Sequence, residues 1–161
     1  VYDPNKEQPN ADLKISYPKN WKITYPKSWQ AIPGELINGE VVQFVAPKDN
    51  ISKSFPAMVI VNIHSLESPT TLDEFTKKTV NQISQKFTQD FITKPIPAKL
   101  GRLDAMQIIY TEQQGGKKNK IKQILSLTAN HAYIINYKAE SEKFSELEGT
   151  AQKIINSFTI D

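Results

Sequence analysis

The segment from residue 57 to residue 66, AMVIVNIHSL, is apolar on both of its faces. In an extended chain alternate side chains point to opposite faces, so Val59, Val61 and Ile63 share one face and Ile60 lies on the other. A strand that is apolar on both faces is typical of the interior of a sheet that is covered on both sides. This segment therefore predicts a sheet with helices above and below it.

Two helices are predicted from apolar residues at helical spacing. The first begins at TLDE (71–74), which fits a capping box in which Thr71 caps the helix and Glu74 reaches back, and it runs to about residue 89. The second covers residues 142–157, with Ser141 as its predicted cap, and it carries the most regular apolar stripe of the chain.

The remaining periodic segments are predicted to be strands. Pro95 and Pro97 place one of them at a sheet edge, because proline has no N–H to donate to a neighbouring strand. Gly115-Gly116 between two such runs is a hairpin signal, whereas Pro33-Gly34 indicates a loop. The predicted fold class is α+β, with a central antiparallel sheet flanked by helices on both faces, an α/β/α sandwich. The strands are expected at 41–47, 57–66, 91–100, 103–114, 117–129 and 132–140.

A seven-residue unit, I-[S/T]-Y-P-K-[N/S]-W, occurs twice, at residues 15–21 and 23–29. In each copy a short strand-like piece is stopped by proline, and the tryptophan, Trp21 or Trp29, can fold back over the strand end. Two interpretations stay open: a duplicated structural turn, or an aromatic surface for a partner.

These elements, in this order, resemble the PsbP-like family, named for the extrinsic protein of the photosystem II oxygen-evolving complex. The resemblance covers residues 13–161 and implies an antiparallel sheet flanked by helices. It also implies a non-catalytic accessory module that docks on a larger membrane-associated assembly. The segments that carry it are Tyr-Pro-x-x-Trp, VVQFVAP, AMVIVNI, TLDEF, the Gly-turned meander that starts at LGRLDAM, and the closing INSFTI.

The two tryptophan units differ in how well they match that family. Trp29 lies 12 residues before Val41, close to the family's spacing, so the second unit is expected to be the family element. The first unit is then an addition, and Trp21 is expected to be more exposed than Trp29.

The amino-acid composition excludes several kinds of functional site. The 161 residues contain no cysteine, which excludes disulfides, cysteine zinc sites and thiol nucleophiles. The net charge of +3 gives no general nucleic-acid signal. The two histidines, His64 and His131, lack metal-ligand spacing, and no nucleophile or phosphate-loop motif is present. We therefore expect neither an enzyme nor a bound metal or cofactor.

The chain opens with VYDPNKEQPN, which has no initiator methionine and no signal-peptide apolar region. We expect a fragment of a longer, extracytoplasmic protein, with a loosely held arm at 1–12, one domain at 13–161 and a monomeric state. The alternatives are a sensor domain of a signalling chain, such as a membrane-bound Ser/Thr kinase, and a small-molecule hydrolase or carrier, which a deep pocket with converging polar groups would favour.

The most localised charge is GGKKNKIK (115–122), with Lys117, Lys118, Lys120 and Lys122 at a predicted hairpin tip. The two readings are a solvated tip and a docking patch for an acidic protein partner. Trp21 is the other candidate partner-binding residue.

Overall fold

The computed structural model describes residues 1–6, 17–36, 38–48, 56–86, 92–114 and 116–161. These residues form nine strands and two helices. In chain order they are β1 (Trp21–Lys22), β2 (Gln30–Pro33), β3 (Glu40–Val45), β4 (Met58–Ser65), α1 (Leu72–Lys86), β5 (Ile96–Leu100), β6 (Leu103–Gln114), β7 (Lys117–Leu127), β8 (His131–Glu140), α2 (Phe144–Asn156) and β9 (Thr159–Ile160).

Seven strands make one antiparallel sheet in the order β2-β3-β4-β8-β7-β6-β5. The apolar strand β4 is interior and the proline-containing β5 is an edge, as the sequence predicts. Strand β2 ends at Pro33, within the segment predicted as a loop, and it forms the other edge. Strands β1 and β9 pair separately as a short ribbon that joins the two ends of the described chain.

One face of the sheet, here called the closed face, lies against α2. Tyr133, Ile135 and Tyr137 of β8 are buried on it, together with Ile154 and Ile155 of the helix. The Tyr137 hydroxyl donates to the carbonyl of the first helical residue over 2.7 Å, so the buried phenol is paired.

The opposite face, here called the open face, carries α1 over β6 and β7. Ile83 of the helix joins a cluster with Ile108, Ile121 and Leu125. Among the described residues no helix covers the β3–β4 part of this face, where Ile60 is only half-buried. The two helices therefore lie on opposite faces as predicted, but each covers part of its face, and the molecule is a sheet-dominated structure more than a complete sandwich.

The two predicted helix starts have different outcomes. At α1 the Glu74 amide donates to the Thr71 hydroxyl over 3.2 Å, so Thr71 is the cap. The Glu74 carboxylate was predicted to reach back to Thr71. It accepts a hydrogen bond from the hydroxyl of the preceding residue, Thr70, over 3.3 Å. The last predicted residues of this helix, 87–89, lie outside the described residues.

The prediction of a Ser141 cap on α2 is wrong. The helix begins at Phe144, and its N-cap, Lys143, makes no side-chain cap bond. The Ser141 amide donates to the Lys118 carbonyl over 2.9 Å, which ties this residue to β7. The chain must then turn through residues 141–143 before the helix can start.

The prediction that Trp21 is more exposed than Trp29 is also wrong. Trp21 is 1% exposed and Trp29 is 5% exposed. Trp21 stacks between Tyr2, at 5.6 Å between ring centroids, and Phe158, at 5.9 Å, and its indole N–H donates to the Pro18 carbonyl over 2.8 Å. Pairing of β1 with β9 brings Phe158 onto this tryptophan, a contact between chain ends that no local pattern encodes.

The loosely held arm predicted at residues 1–12 does not extend to Tyr2, which is 3% exposed and bridges to Ile23. Residues 7–12 lie outside the described residues, as do residues 15 and 16, the first two of the first seven-residue unit. Within the described ranges, neither helix has the length and apolar character needed to cross a bilayer.

Candidate functional site

A cavity of about 820 Å³ lies between α1 and the sheet on the open face. We call it the α1 groove. Its helical wall extends from Glu74 to Lys86, which at 1.5 Å per residue is roughly 18 Å. The residues that define it most directly are His64, Phe75, Ile83, Gln123, Ile134 and Asn136.

The loop from Ser65 to Thr70 lines the α1 groove. It is anchored at both ends, because the Leu66 amide donates to the Asn130 carbonyl over 2.9 Å and Thr71 caps the helix that follows.

Two carboxamides form the polar part of the groove floor. Gln123 of β7 and Asn136 of β8 are directly opposite each other in the sheet register. Gln123 is 6% exposed, and the Asn136 Oδ1 atom is buried without a hydrogen-bond partner. A buried acceptor without a partner costs about 1–3 kcal/mol.

His64 stands at the groove rim and is held against Gly39. A Cβ at Gly39 would come within 2.5 Å of the imidazole Cε1, and the φ of +77° at this position also favours glycine. Burial lowers the pKa of His64, so the imidazole is neutral at pH 7 and can both donate and accept.

The two histidines lie at the same end of neighbouring strands, since His131 pairs with Ser65 in the β4–β8 register. Across the part of the chain that the structure describes, no group of three His, Asp or Glu side chains is arranged to hold a metal ion. The expectation that neither histidine belongs to a metal site remains a prediction.

The α1 groove is lined by equal numbers of acidic and basic side chains. They are two glutamates, Glu67 and Glu74, and two lysines, Lys78 and Lys86. Tyr110 also lines it, and burial, with a smaller effect of the Glu112 charge, raises the pKa of this phenol to about 12. The groove therefore presents a neutral, mixed polar and apolar lining at pH 7.

The four lysines of the predicted tip are not one patch, because successive residues of a strand point to opposite faces. Lys122 is 7% exposed beneath α2, where its Nζ lies 2.9 Å from a Glu148 carboxylate oxygen and 3.1 Å from Gln152 Oε1. The premise that it is an exposed docking residue is wrong. It joins the helix to the sheet instead.

The other three lysines are spread over the hairpin. Lys120 lies with its Nζ 4.6 Å from the centre of the Phe144 ring, and Lys117 lies 3.6 Å from a Glu140 carboxylate oxygen. Lys118 is exposed. Partner binding by these three stays a prediction, whereas Trp21 is too deeply buried to touch a partner.

The groove residues were not predicted as a site from the sequence. Gln123 interrupts a strand face that is otherwise Ile121, Leu125 and Leu127, and Asn136 stands between Ile135 and Tyr137. The available sequence signal for this site was a carboxamide on a strand face that is expected to be covered. These carboxamides line a groove only because α1 does not cover that part of the face.

Comparison with known proteins gives no matching family model and no curated relative. Solved structures that share the fold include three that cover most of this chain. LpqN of Mycobacterium tuberculosis, described as involved in cell envelope biogenesis, superposes with a TM-score of 0.68 at 17% identity, over 87% of this chain and 82% of LpqN. A Pseudomonas aeruginosa protein of unknown function superposes with a TM-score of 0.67 at 9% identity, over 88% of this chain and 98% of its own.

The third is cyanobacterial PsbP from Synechocystis, with a TM-score of 0.59 at 15% identity, over 98% of this chain and 99% of that protein. At such identities the likeness shows the fold alone. The resemblance predicted from the sequence is confirmed at that level: the fold is PsbP-like.

Proposed function

We propose that this chain is a non-catalytic accessory module that docks on a larger protein assembly through the α1 groove. The observation that carries the proposal is the groove itself. It is roughly 18 Å long, it is lined by two glutamates and two lysines, and it lies beside a helix that packs on β6 and β7. Such a surface suits binding, because it combines apolar area with a few fixed polar groups.

The chemistry of the groove supports a binding role over a hydrolytic one. Within the described residues, the histidine at the rim, His64, makes no hydrogen bond to a hydroxyl that it could activate. Burial raises the pKa of Tyr110, which also lines the groove, to about 12, so this phenol stays protonated at pH 7 and is a poor general base.

We place this docking outside the cytoplasm, on a membrane-associated assembly. The support is the fold shared with LpqN, which is involved in cell envelope biogenesis, and with a cyanobacterial PsbP. Lys117, Lys118 and Lys120 would add attraction for an acidic partner by long-range steering.

Site-directed photo-cross-linking in the source cells tests this function. A photoreactive residue at Gln82, which is exposed at the groove lip, should give one discrete adduct with a protein of a membrane-associated assembly. The same residue at Ser145, exposed on α2, is the matched control and should give no such adduct. Equal adducts from both positions, or none from Gln82, would contradict the proposal.

A further inference from the structure

The turn between Leu36 and Glu40, which leads from β2 into β3, contains Asn38-Gly39, the only Asn-Gly pair in the chain. We call it the Asn38 turn. Asn38 is exposed, and Gly39 has no side chain to hinder the approach of its own backbone nitrogen to the Asn38 carboxamide. We infer that Asn38 is a site of spontaneous deamidation, which converts it to aspartate and isoaspartate. This inference does not depend on the proposed docking.

The reaction needs only the chain and water. The Gly39 nitrogen bonds to Asn38 Cγ, the bond from Cγ to Nδ2 breaks, and ammonia leaves with the proton of the Gly39 amide. Water then adds to either carbonyl carbon of the cyclic imide and breaks its bond to nitrogen. Cleavage at Cγ gives aspartate, whereas cleavage at the main-chain carbon gives isoaspartate, whose backbone runs through the side chain.

The hydrogen bonds of the Asn38 turn control when this attack can occur. The Gly39 N–H donates to the Leu36 carbonyl over 3.0 Å, and the Leu36 amide donates to the Glu40 carbonyl over 3.1 Å. Leu36 is held at a φ of +63°, a left-handed conformation that is costly for a residue with a Cβ. Opening of this short surface turn relieves the strain and frees the Gly39 nitrogen, so deamidation proceeds from the open turn.

The isoaspartate product would alter the rim of the α1 groove. The Gly39 carbonyl accepts from the Ile63 amide over 2.8 Å, and Gly39 lies against the imidazole of His64, which lines the groove. Isoaspartate lengthens the main chain by one carbon directly before Gly39. We therefore expect the modified turn to lose its contact with His64.

The test is to age the whole chain at mildly alkaline pH and to follow each asparagine by peptide mapping and mass spectrometry. Asn130 is the matched internal control, because it is also exposed, in the turn between β7 and β8, but is followed by the side chain of His131. Asn38 should convert several-fold faster than Asn130 and should yield both aspartate and isoaspartate. Equal or slower conversion at Asn38, or a product without isoaspartate, would overturn the inference.

A synthetic peptide with the sequence of residues 34–41, GELINGEV, tests the role of the turn. Free of the rest of the fold, the peptide should deamidate several-fold faster than Asn38 in the folded chain. In urea the full chain should reach the rate of the peptide. Equal rates for the peptide and the folded chain would contradict control by the hydrogen bonds of the turn.

Nuclear magnetic resonance of the two histidines measures the effect on the groove rim. As isoaspartate accumulates, the imidazole signals of His64 should move, whereas those of His131 should stay nearly unchanged. The Asn38→Gln chain, aged in parallel, is the control, because glutamine forms the larger cyclic imide far more slowly. Unmoved His64 signals in fully converted protein, or equal movement in the Asn38→Gln chain, would refute the expected loss of contact.

Discussion

The two faces of the sheet are built from the same strands but differ in how completely they are packed. On the closed face, Tyr133 packs edge-on against Phe158, and Tyr137 packs against Phe144, the first residue of α2. On the open face, α1 covers β6 and β7 and leaves Ile60 and Asn136 half-buried. Among the described residues, the closed face is thus more completely packed than the open face.

The two faces also differ in how their buried polar groups are hydrogen-bonded. On the closed face Lys122 is satisfied twice, by Glu148 and Gln152. On the open face Asn136 keeps a buried oxygen without a partner. A buried polar group without a partner costs stability, so Asn136 is the less well satisfied of the two.

The largest expected effect comes from the closed face. Trp21→Ala should lower the free energy of unfolding by about 3–5 kcal/mol, because it removes a fully buried ring from between two others. Ile60→Ala, at a half-buried position of the open face, should cost about 1 kcal/mol. Urea unfolding measures both. Similar losses at the two positions would break the distinction between the faces.

The second prediction concerns pH. Burial raises the pKa of Tyr110 from 10.0 to about 12, so the folded state holds this proton more tightly than the unfolded state. Its contribution is full below pH 10 and is lost as the pH rises towards 12, about 2–3 kcal/mol in all. Urea unfolding between pH 9 and pH 11.5 should show a shallower fall for Tyr110→Phe than for the unaltered chain. Parallel curves would mean that α1 does not shield this phenol.

A smaller effect is expected from the ion pair under α2. Glu148→Gln leaves the buried Lys122 without its counter-charge and should cost about 1–2 kcal/mol, reduced because the Glu148 side chain is 40% exposed. Lys122→Met removes the charge itself and should change stability by less than about 1 kcal/mol. Denaturant titration compares the two variants, and a larger loss for Lys122→Met would show that the ion pair is itself strongly stabilising.

The smallest effect on stability is expected at the hairpin. Lys118→Glu should change the free energy of unfolding by about 0.5 kcal/mol or less, since the side chain is exposed. If the hairpin helps to steer an acidic partner, the variant should associate more slowly and with a weaker dependence on salt. Stopped-flow association with the cross-linked partner at low and high salt measures this. Unchanged rates would leave the α1 groove as the remaining docking surface.

Much of the fold follows from local pattern. The interior position of β4, the edge position of β5, the meander of β6, β7 and β8 and both helices were predictable, because apolar periodicity and proline chemistry act within a few residues. The Thr71 cap belongs to the same class. The strands β1, β2 and β9 were not predicted, since they are short and depend on partners elsewhere in the chain.

The candidate site could not be predicted from the sequence, for a related reason. Period-two alternation assigns Gln123 to one strand face and Lys122 to the other, but it does not say what covers either face. That is decided by where α1 and α2 dock and by how much of the sheet each one spans.

The sequence by itself determined strands β3 to β8, both helices and the PsbP-like order in which they come. Only the tertiary structure decided that Trp21 is core, that Lys122 is an internal ion pair and that Asn136 faces a groove. The physical reason is that burial is a property of contacts between distant segments, such as β1 with β9, whereas periodicity is a property of neighbours.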